Sequence, residues 1–331
     1  MSIAFFMMIP NLLQANNVKN SAVILMYHKF DVSKHPSTNI RIEQFEDHLI
    51  ELSKQKYNVK SLEYIANSII NDIDLPENTI GISIDDADKS FLKIAWPRFK
   101  EYNFPVTLFV STKSIGSGNY LSWDDIRFLK NEGVEIGAHS HTHNHLPNLN
   151  KDEIINEIEF PNKIFMKELN KIPSLFAYPY GETNQLIIDI IQDYKFKIAF
   201  GQHSGVINET SHLYFLPRFA LNEKYGDLER FKFIVNAKGL GVYDFIPSDP
   251  TIKENPPFIG FSLLDQNLTK NIQCFIYDSD GQVENNIFNF NERLEIRLGR
   301  KLNPGRTRMN CTAKDNKNNW RWFGHQFYTI E

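Results

Sequence analysis

Val134-Glu135-Ile136-Gly137-Ala138-His139-Ser140-His141-Thr142-His143 is an apolar-alternating run that ends in three histidines at every second position. In an extended strand, alternate side chains share a face. Where such a strand end curls, residues four apart converge on one point. Neutral imidazole is the commonest ligand for Zn²⁺ and its divalent neighbours. Read alone, the cluster is either a metal site or a solvated loop. A second stretch tips the reading: Gly81-Ile82-Ser83-Ile84-Asp85-Asp86-Ala87-Asp88 is another apolar strand, and it ends in adjacent carboxylates. One strand end supplies acids and the other imidazoles, a donor set for a divalent cation.

Outward from these two strands the chain alternates. Ser21 to His28 is a continuous apolar run, the pattern of a strand buried in a parallel sheet. Helical spacing follows over Ile42 to Lys56 and Ser61 to Ile70, with Ser61 as N-cap. Ser90 to Tyr102 is helical, with Pro97 kinking it or marking its start. Pro105 to Ser111 is a strand, and Ser122-Trp123-Asp124-Asp125 resembles a capping box opening a helix that stops at Gly133. Beyond the histidines come a helix from about Asp152 to Asn170, a strand Ser174 to Tyr178 and a helix from about Asn184 to Tyr194. Short strands near Ile198 and Phe215 to Phe219, then a helix Leu228 to Ala237, complete this region. The alternation predicts βαβ units around a parallel sheet, open or closed to a barrel. In such folds active residues gather at the C-terminal ends of strands. His28, Asp85-Asp86, His139/His143 and Tyr178-Pro179-Tyr180 all fall there.

Near Ile246-Pro247-Ser248-Asp249-Pro250 and Asn255-Pro256-Pro257 the pattern changes to that of a linker. Short alternating runs follow at Phe258 to Leu264, Ile272 to Asp278, Arg293 to Leu298, Thr307 to Ala313 and Trp320 to Ile330. Asp280-Gly281 and Pro304-Gly305 mark turns between them. This predicts an all-β sandwich over 247–331, after an α/β unit over 19–246 and a segment 1–18 that reads as an export signal. The 331 residues have room for one large and one small domain, with 42% hydrophobic and 13% aromatic residues to form cores. A net charge of −4 and the lack of any basic block exclude a nucleic-acid partner. Ile3 to Leu13 is too short to span a membrane and fits a signal-peptide core, though it lacks a basic flank. No later stretch reads as transmembrane. Cys274 and Cys311 are the only cysteines; in an exported chain they would form a disulfide, and in a cytosolic one they would stay as buried thiols.

From about Val23 to Ala237 the chain resembles the polysaccharide deacetylases of the NodB-homology type, carbohydrate esterase family 4. Ile84-Asp85-Asp86-Ala87 stands where the family has Thr-Phe-Asp-Asp-Gly. His139 to His143 fits its His-Ser/Thr-x-x-His motif, and Ala177-Tyr178-Pro179-Tyr180-Gly181 its Arg-x-Pro-Tyr-Gly motif. The resemblance implies a distorted (β/α) barrel and a metal-dependent hydrolase that removes N-acetyl groups from an N-acetylglucosamine-containing polysaccharide. In that reading Asp86, His139 and His143 hold a divalent metal, usually zinc. Asp85 is the general base, and the backbone N–H of Tyr180 helps stabilise the oxyanion. Tyr178 and Trp123 are candidates to line a sugar cleft. Rival readings are an O-acetyl esterase on xylan or a similar glycan, a peptidoglycan deacetylase, or a carbohydrate-binding protein without catalysis.

Two departures stand out. Ala177 replaces the motif arginine that pairs with the base carboxylate, which leaves Asp85 only the metal to keep it ionised. Ala87 replaces glycine. The family's late Leu-x-His motif for the general acid is also missing, because His203 and His212 read as lying in polar loops. Met26-Tyr27-His28-Lys29-Phe30 instead ends the first strand. A histidine there resembles the permuted arrangement of poly-N-acetylglucosamine deacetylases and makes His28 the candidate acid. His141 points to the opposite face from its neighbours and reads as structural.

Overall fold

The computed structural model describes residues 21–290 and 292–330. The export-signal reading of 1–18 therefore lies outside the described residues. The strands Ala22–Tyr27 and Thr79–Ile84 are buried along their whole length, which is why their sequences are continuously apolar rather than alternating. They sit side by side in a parallel sheet whose order is Phe219–Ala220, Ala22–Tyr27, Thr79–Ile84, Thr107–Val110, Glu135–Ala138, Leu175–Ala177, Ile198–Phe200. Asn58–Val59 adds to the sheet beside Thr79–Ile84. A lone parallel bridge from Phe200 to Leu216 leads the last strand back towards the first. The result is an incomplete barrel of parallel strands wrapped by helices, the α/β architecture expected.

Capping sets the helix starts. Ser61 accepts from the Tyr64 N–H, and Ser122 and Asp125 close a capping box. The segment Ser90 to Tyr102 splits: Phe91–Ala95 forms a π-helical turn and Trp96–Glu101 an α-helix with Pro97 in its first turn. A proline is tolerated there because the first-turn N–H groups have no intrahelical partner.

The C-terminal region is mostly β and has its own core, including Phe261, Ile276, Ile296, Met309 and Phe327. One sheet runs Lys238–Gly239, Trp320–Thr329, Gly305–Lys314, Gln273–Asp278, Gly281–Val283; the other runs Val242–Ile246, Ile259–Leu263, Arg293–Leu298, Asn285–Phe290. Asn285–Phe290 carries three asparagines and is mostly exposed at a sheet edge. Poor strand propensity and weak alternation hid it in the sequence. The proline-rich stretch read as a linker also contributes a strand, Thr251–Ile252, paired to Tyr328 and Thr329. Cys274 and Cys311 are directly opposite in register and joined as a disulfide.

The β region packs tightly on the barrel. A Cβ at Gly324 would lie 1.6 Å from the Ser204 carbonyl oxygen, so only glycine permits this approach. Trp322 meets Phe219 edge-on at 5.0 Å. Among the described residues no helix is long and apolar enough to cross a membrane.

Candidate metal centre and cleft

The parallel sheet brings the two opening stretches together. One ligand atom each from Asp86, His139 and His143 lie within 4.8 Å of one another. The His139 and His143 Nε2 atoms are 3.7 and 3.4 Å from Asp86 Oδ1. His139 is fully buried, and its Nδ1 donates to the Ala177 carbonyl at 2.7 Å. That bond places the proton on Nδ1 and leaves the Nε2 lone pair pointing into the site. Nε2 has no hydrogen-bond partner. A buried acceptor facing a carboxylate and a second imidazole is costly unless a cation occupies the space between them. The residues fit a divalent metal.

The loops that deliver these groups are held in unusual backbone conformations. Asp86, Ala87, Ser140, His143 and Tyr180 all have φ between 57° and 75°. For non-glycine residues each such conformation costs on the order of 1 kcal/mol, and clusters of them mark sites where the surrounding structure imposes the geometry. The Glu157 carboxylate accepts from the His141 and Thr142 N–H groups and from the Thr142 hydroxyl. It thereby pins the histidine loop to its neighbouring helix. His141 turns away, bonds the Thr112 hydroxyl at 2.8 Å and stacks on Phe160.

Asp85 does have a cationic partner, which corrects the expectation drawn from Ala177. Arg218 is fully buried and donates to both carboxylate oxygens, at 2.7 and 2.8 Å. It also donates to the Gly201 carbonyl and the Ser83 hydroxyl. Its guanidinium lies over Phe109 and Phe200, which belong to the same apolar cluster as Ala177. The small residue at 177 thus faces a region already supplied with a cation from the loop before Phe219–Ala220. Burial pushes the Asp85 carboxyl up, but Arg218, His139 and His28 outweigh it and hold the group well below the usual carboxylate range.

His28 follows the first strand and stands 3.9 Å from Asp85 Oδ2. It lines a cleft of about 720 Å³ together with Asp86, His143 and Tyr180. Burial lowers its pKa, against the opposing pull of Asp85 and Asp86. Tyr180 is braced: His145 stacks on its ring at 4.0 Å and bonds the buried Glu182 at 2.6 Å. Two expected cleft residues are elsewhere. Tyr178 is fully buried, with its hydroxyl donating to the Tyr214 carbonyl. Trp123 packs edge-on against Phe165. Neither lines the cleft, because strand alternation and helix packing turn both rings into the core. His203 is not in a polar loop but buried against Phe215 and His325, and with His212 it lines a separate cavity.

Residues 72–199 match the family model described as polysaccharide deacetylase. The chain carries a polysaccharide deacetylase domain of the NodB-homology type. The poly-beta-1,6-N-acetyl-D-glucosamine N-deacetylase of Staphylococcus aureus strain MRSA252 is 25% identical to it over 162 residues. That match covers 45% of this chain, and the chain spans only 56% of the relative's length. The deacetylase domain shares its fold with Streptococcus pyogenes deacetylase PplD, solved in complex with acetate, at a TM-score of 0.61 and 21% identity. The superposition covers 65% of this chain and 98% of PplD. IcaB from Ammonifex degensii superposes with a TM-score of 0.57 and 18% identity, over 65% of this chain and 96% of that one.

Proposed function

We propose that the protein is a metal-dependent hydrolase that removes N-acetyl groups from an N-acetylglucosamine-containing polysaccharide. The observation that carries this reading is the unpartnered, buried Nε2 of His139 beside Asp86 and His143, next to an Asp85 held ionised by Arg218. The Staphylococcus aureus relatives, named for deacetylating poly-beta-1,6-N-acetyl-D-glucosamine, support the substrate class. Asp86, His139 and His143 would hold the ion, most simply Zn²⁺ given two imidazoles and one carboxylate. A divalent ion there supplies Lewis acidity, polarising the acetyl carbonyl and acidifying the attacking water. Asp85 accepts the proton that water loses, and His28 delivers one to the departing amine. The Tyr180 N–H donates to the developing oxyanion.

Acetate release from N-acetylglucosamine oligomers, β-1,4- and β-1,6-linked, with and without chelator, tests the reading. Activity that survives full metal removal would sink it. His139→Ala and Asp86→Asn are each expected to lose bound metal and activity together. Stoichiometric zinc retained by both variants would overturn the ligand assignment.

We also place the protein outside the cytoplasm, as a deacetylase unit followed by a β unit, with the boundary drawn before Lys238 rather than at 246/247 because Lys238–Gly239 and Val242–Ile246 pair into the β sheets. The Cys274–Cys311 disulfide supports that compartment. Thiol titration of unreduced, natively expressed protein is expected to find no free sulfhydryl. Two titratable thiols would argue for a reducing compartment instead.

A further inference from the structure

We propose that the glycan bound in the cleft is anionic and that Arg308 is the residue that receives its negative group. The inference rests on the deacetylase reading of the same cleft. The strand Gly305–Lys314 alternates strictly: Thr307, Met309, Cys311 and Ala313 are buried. Its opposite face presents Arg306, Arg308 and Asn310 to the cleft that holds Asp86 and His143. Because the inward residues fill the sandwich core, a one-residue slip would put arginine there, so the register of the cationic face is fixed.

The three arginines that line the cleft, Arg306 and Arg308 on this strand and Arg230 on the helix Leu228–Val235, are not equivalent. Arg306 Nε lies 3.4 Å from Glu182 Oε1 and its guanidinium sits over the Tyr180 ring, so its charge is balanced and braces the site. Arg230 donates to the Tyr225 carbonyl at 2.6 Å and covers the Tyr225 ring. The Arg308 guanidinium makes no hydrogen bond or ion pair among the described residues. Arg308 is exposed to the cleft; desolvation by the surrounding walls and the nearby Arg306 pull its pKa down to about 10, and it stays charged at neutral pH. The carboxylate lining the cleft is that of Asp86, a proposed metal ligand.

Arg308 is exposed on the cleft wall, and its unpaired guanidinium gains a partner once an oxyanion meets its fork of donors. A neutral acetylated chain offers carbonyl and hydroxyl acceptors but no charge to match it, and its deacetylated product, a polyamine, would be repelled. The net charge of −4 means this positive potential is local to the cleft and not a property of the whole surface. The matching group is a carboxylate, as in a uronic acid, or a sulfate or phosphate ester close to the acetamido sugar.

Calorimetry on the full chain with three hexasaccharides tests this: a neutral N-acetylglucosamine oligomer, an alternating glucuronate–N-acetylglucosamine oligomer, and a 6-O-sulfated N-acetylglucosamine oligomer. At least one anionic oligomer is expected to bind about tenfold to a hundredfold tighter than the neutral one, the range for a hydrogen bond to a charged group. The better of the two identifies the source of the charge. The preference should shrink as salt rises from about 0.05 to about 0.5 M. It should collapse in Arg308→Gln and partly return in Arg308→Lys. Equal affinity for neutral and anionic oligomers, failure of all three to bind, or a preference untouched in a folded Arg308→Gln would overturn the inference. Salt dependence in the parent protein needs no variant. Acetate assays on the same oligomers separate the two readings. Anion preference without acetate release sinks the deacetylase reading alone, whereas release with equal KM for neutral and anionic oligomers sinks the anion inference alone.

Discussion

Arg218→Met is expected to destabilise the fold by about 3–5 kcal/mol, the cost of leaving one member of a buried ion pair alone. Methionine fills the apolar space over Phe109 and Phe200, so lost packing is a minor part of the effect. What remains is a fully buried Asp85 whose two oxygens have lost their donors. The double variant Arg218→Met/Asp85→Asn should recover most of that stability while staying inactive, since it removes the stranded charge as well as the base. A double variant as unstable as the single one would mean that Arg218 acts through packing alone.

The pH dependence has a definite sign. In the parent the Asp85 carboxyl is held below its ordinary value of 3.8. Its contribution is therefore complete above that value and is lost as pH falls towards the depressed native value. In Arg218→Met the largest opposing charge is gone, so burial pushes the same carboxyl up against His139 and His28 alone, and acid relieves the variant. The stability gap between parent and variant should narrow as pH drops from about 7 to about 4, measured by urea unfolding at each pH. A gap independent of pH would show that Asp85 is not the group left uncompensated.

Arg218 also shows where reading the sequence stops. The two strand ends at Asp85-Asp86 and His139 to His143 were legible because periodicity places alternate residues on one face and a parallel sheet collects strand ends. The partner of Asp85 comes from the loop before a two-residue strand, 133 positions away, with only Phe219–Ala220 beside it as pattern. Nothing local distinguishes that arginine from a surface one. The chain does carry one hint: a carboxylate at the end of a buried strand needs a cation, and alanine at position 177 removes the expected supplier. The demand was visible and the supplier was not. The cationic face of Gly305–Lys314 escaped for a different reason. Its alternation was readable, but which way a sandwich turns its polar face depends on the packing at Gly324 and Trp322, which is a tertiary fact.

His28→Ala should leave the protein folded and metal-loaded but slower by on the order of 10²–10⁴, the usual contribution of a general acid. The first strand of the sheet lies between Phe219–Ala220 and Thr79–Ile84, so its C-terminal end opens onto the same cleft as Asp86 and His143 despite the distance in sequence. His28 is not among the three residues whose ligand atoms converge, so metal content should not change. Burial lowers its pKa, which keeps it neutral in the resting enzyme at neutral pH. It must therefore gain a proton during turnover before giving one to the amine. The proton Asp85 takes from the attacking water is the source: passed on to His28, 3.9 Å away, it restores the Asp85 carboxylate, which Arg218 holds and which stabilises the imidazolium until the amine takes the proton. His203 and His212 line a different cavity at the seam with the β region. Replacing exposed-side His212 with alanine should cost little activity; His203→Ala, which opens a buried space, should lower stability more than turnover per folded molecule. If His28→Ala hydrolyses acetamides at the parent rate with normal zinc content, the proton must reach the amine from another group, and the case for His28 fails.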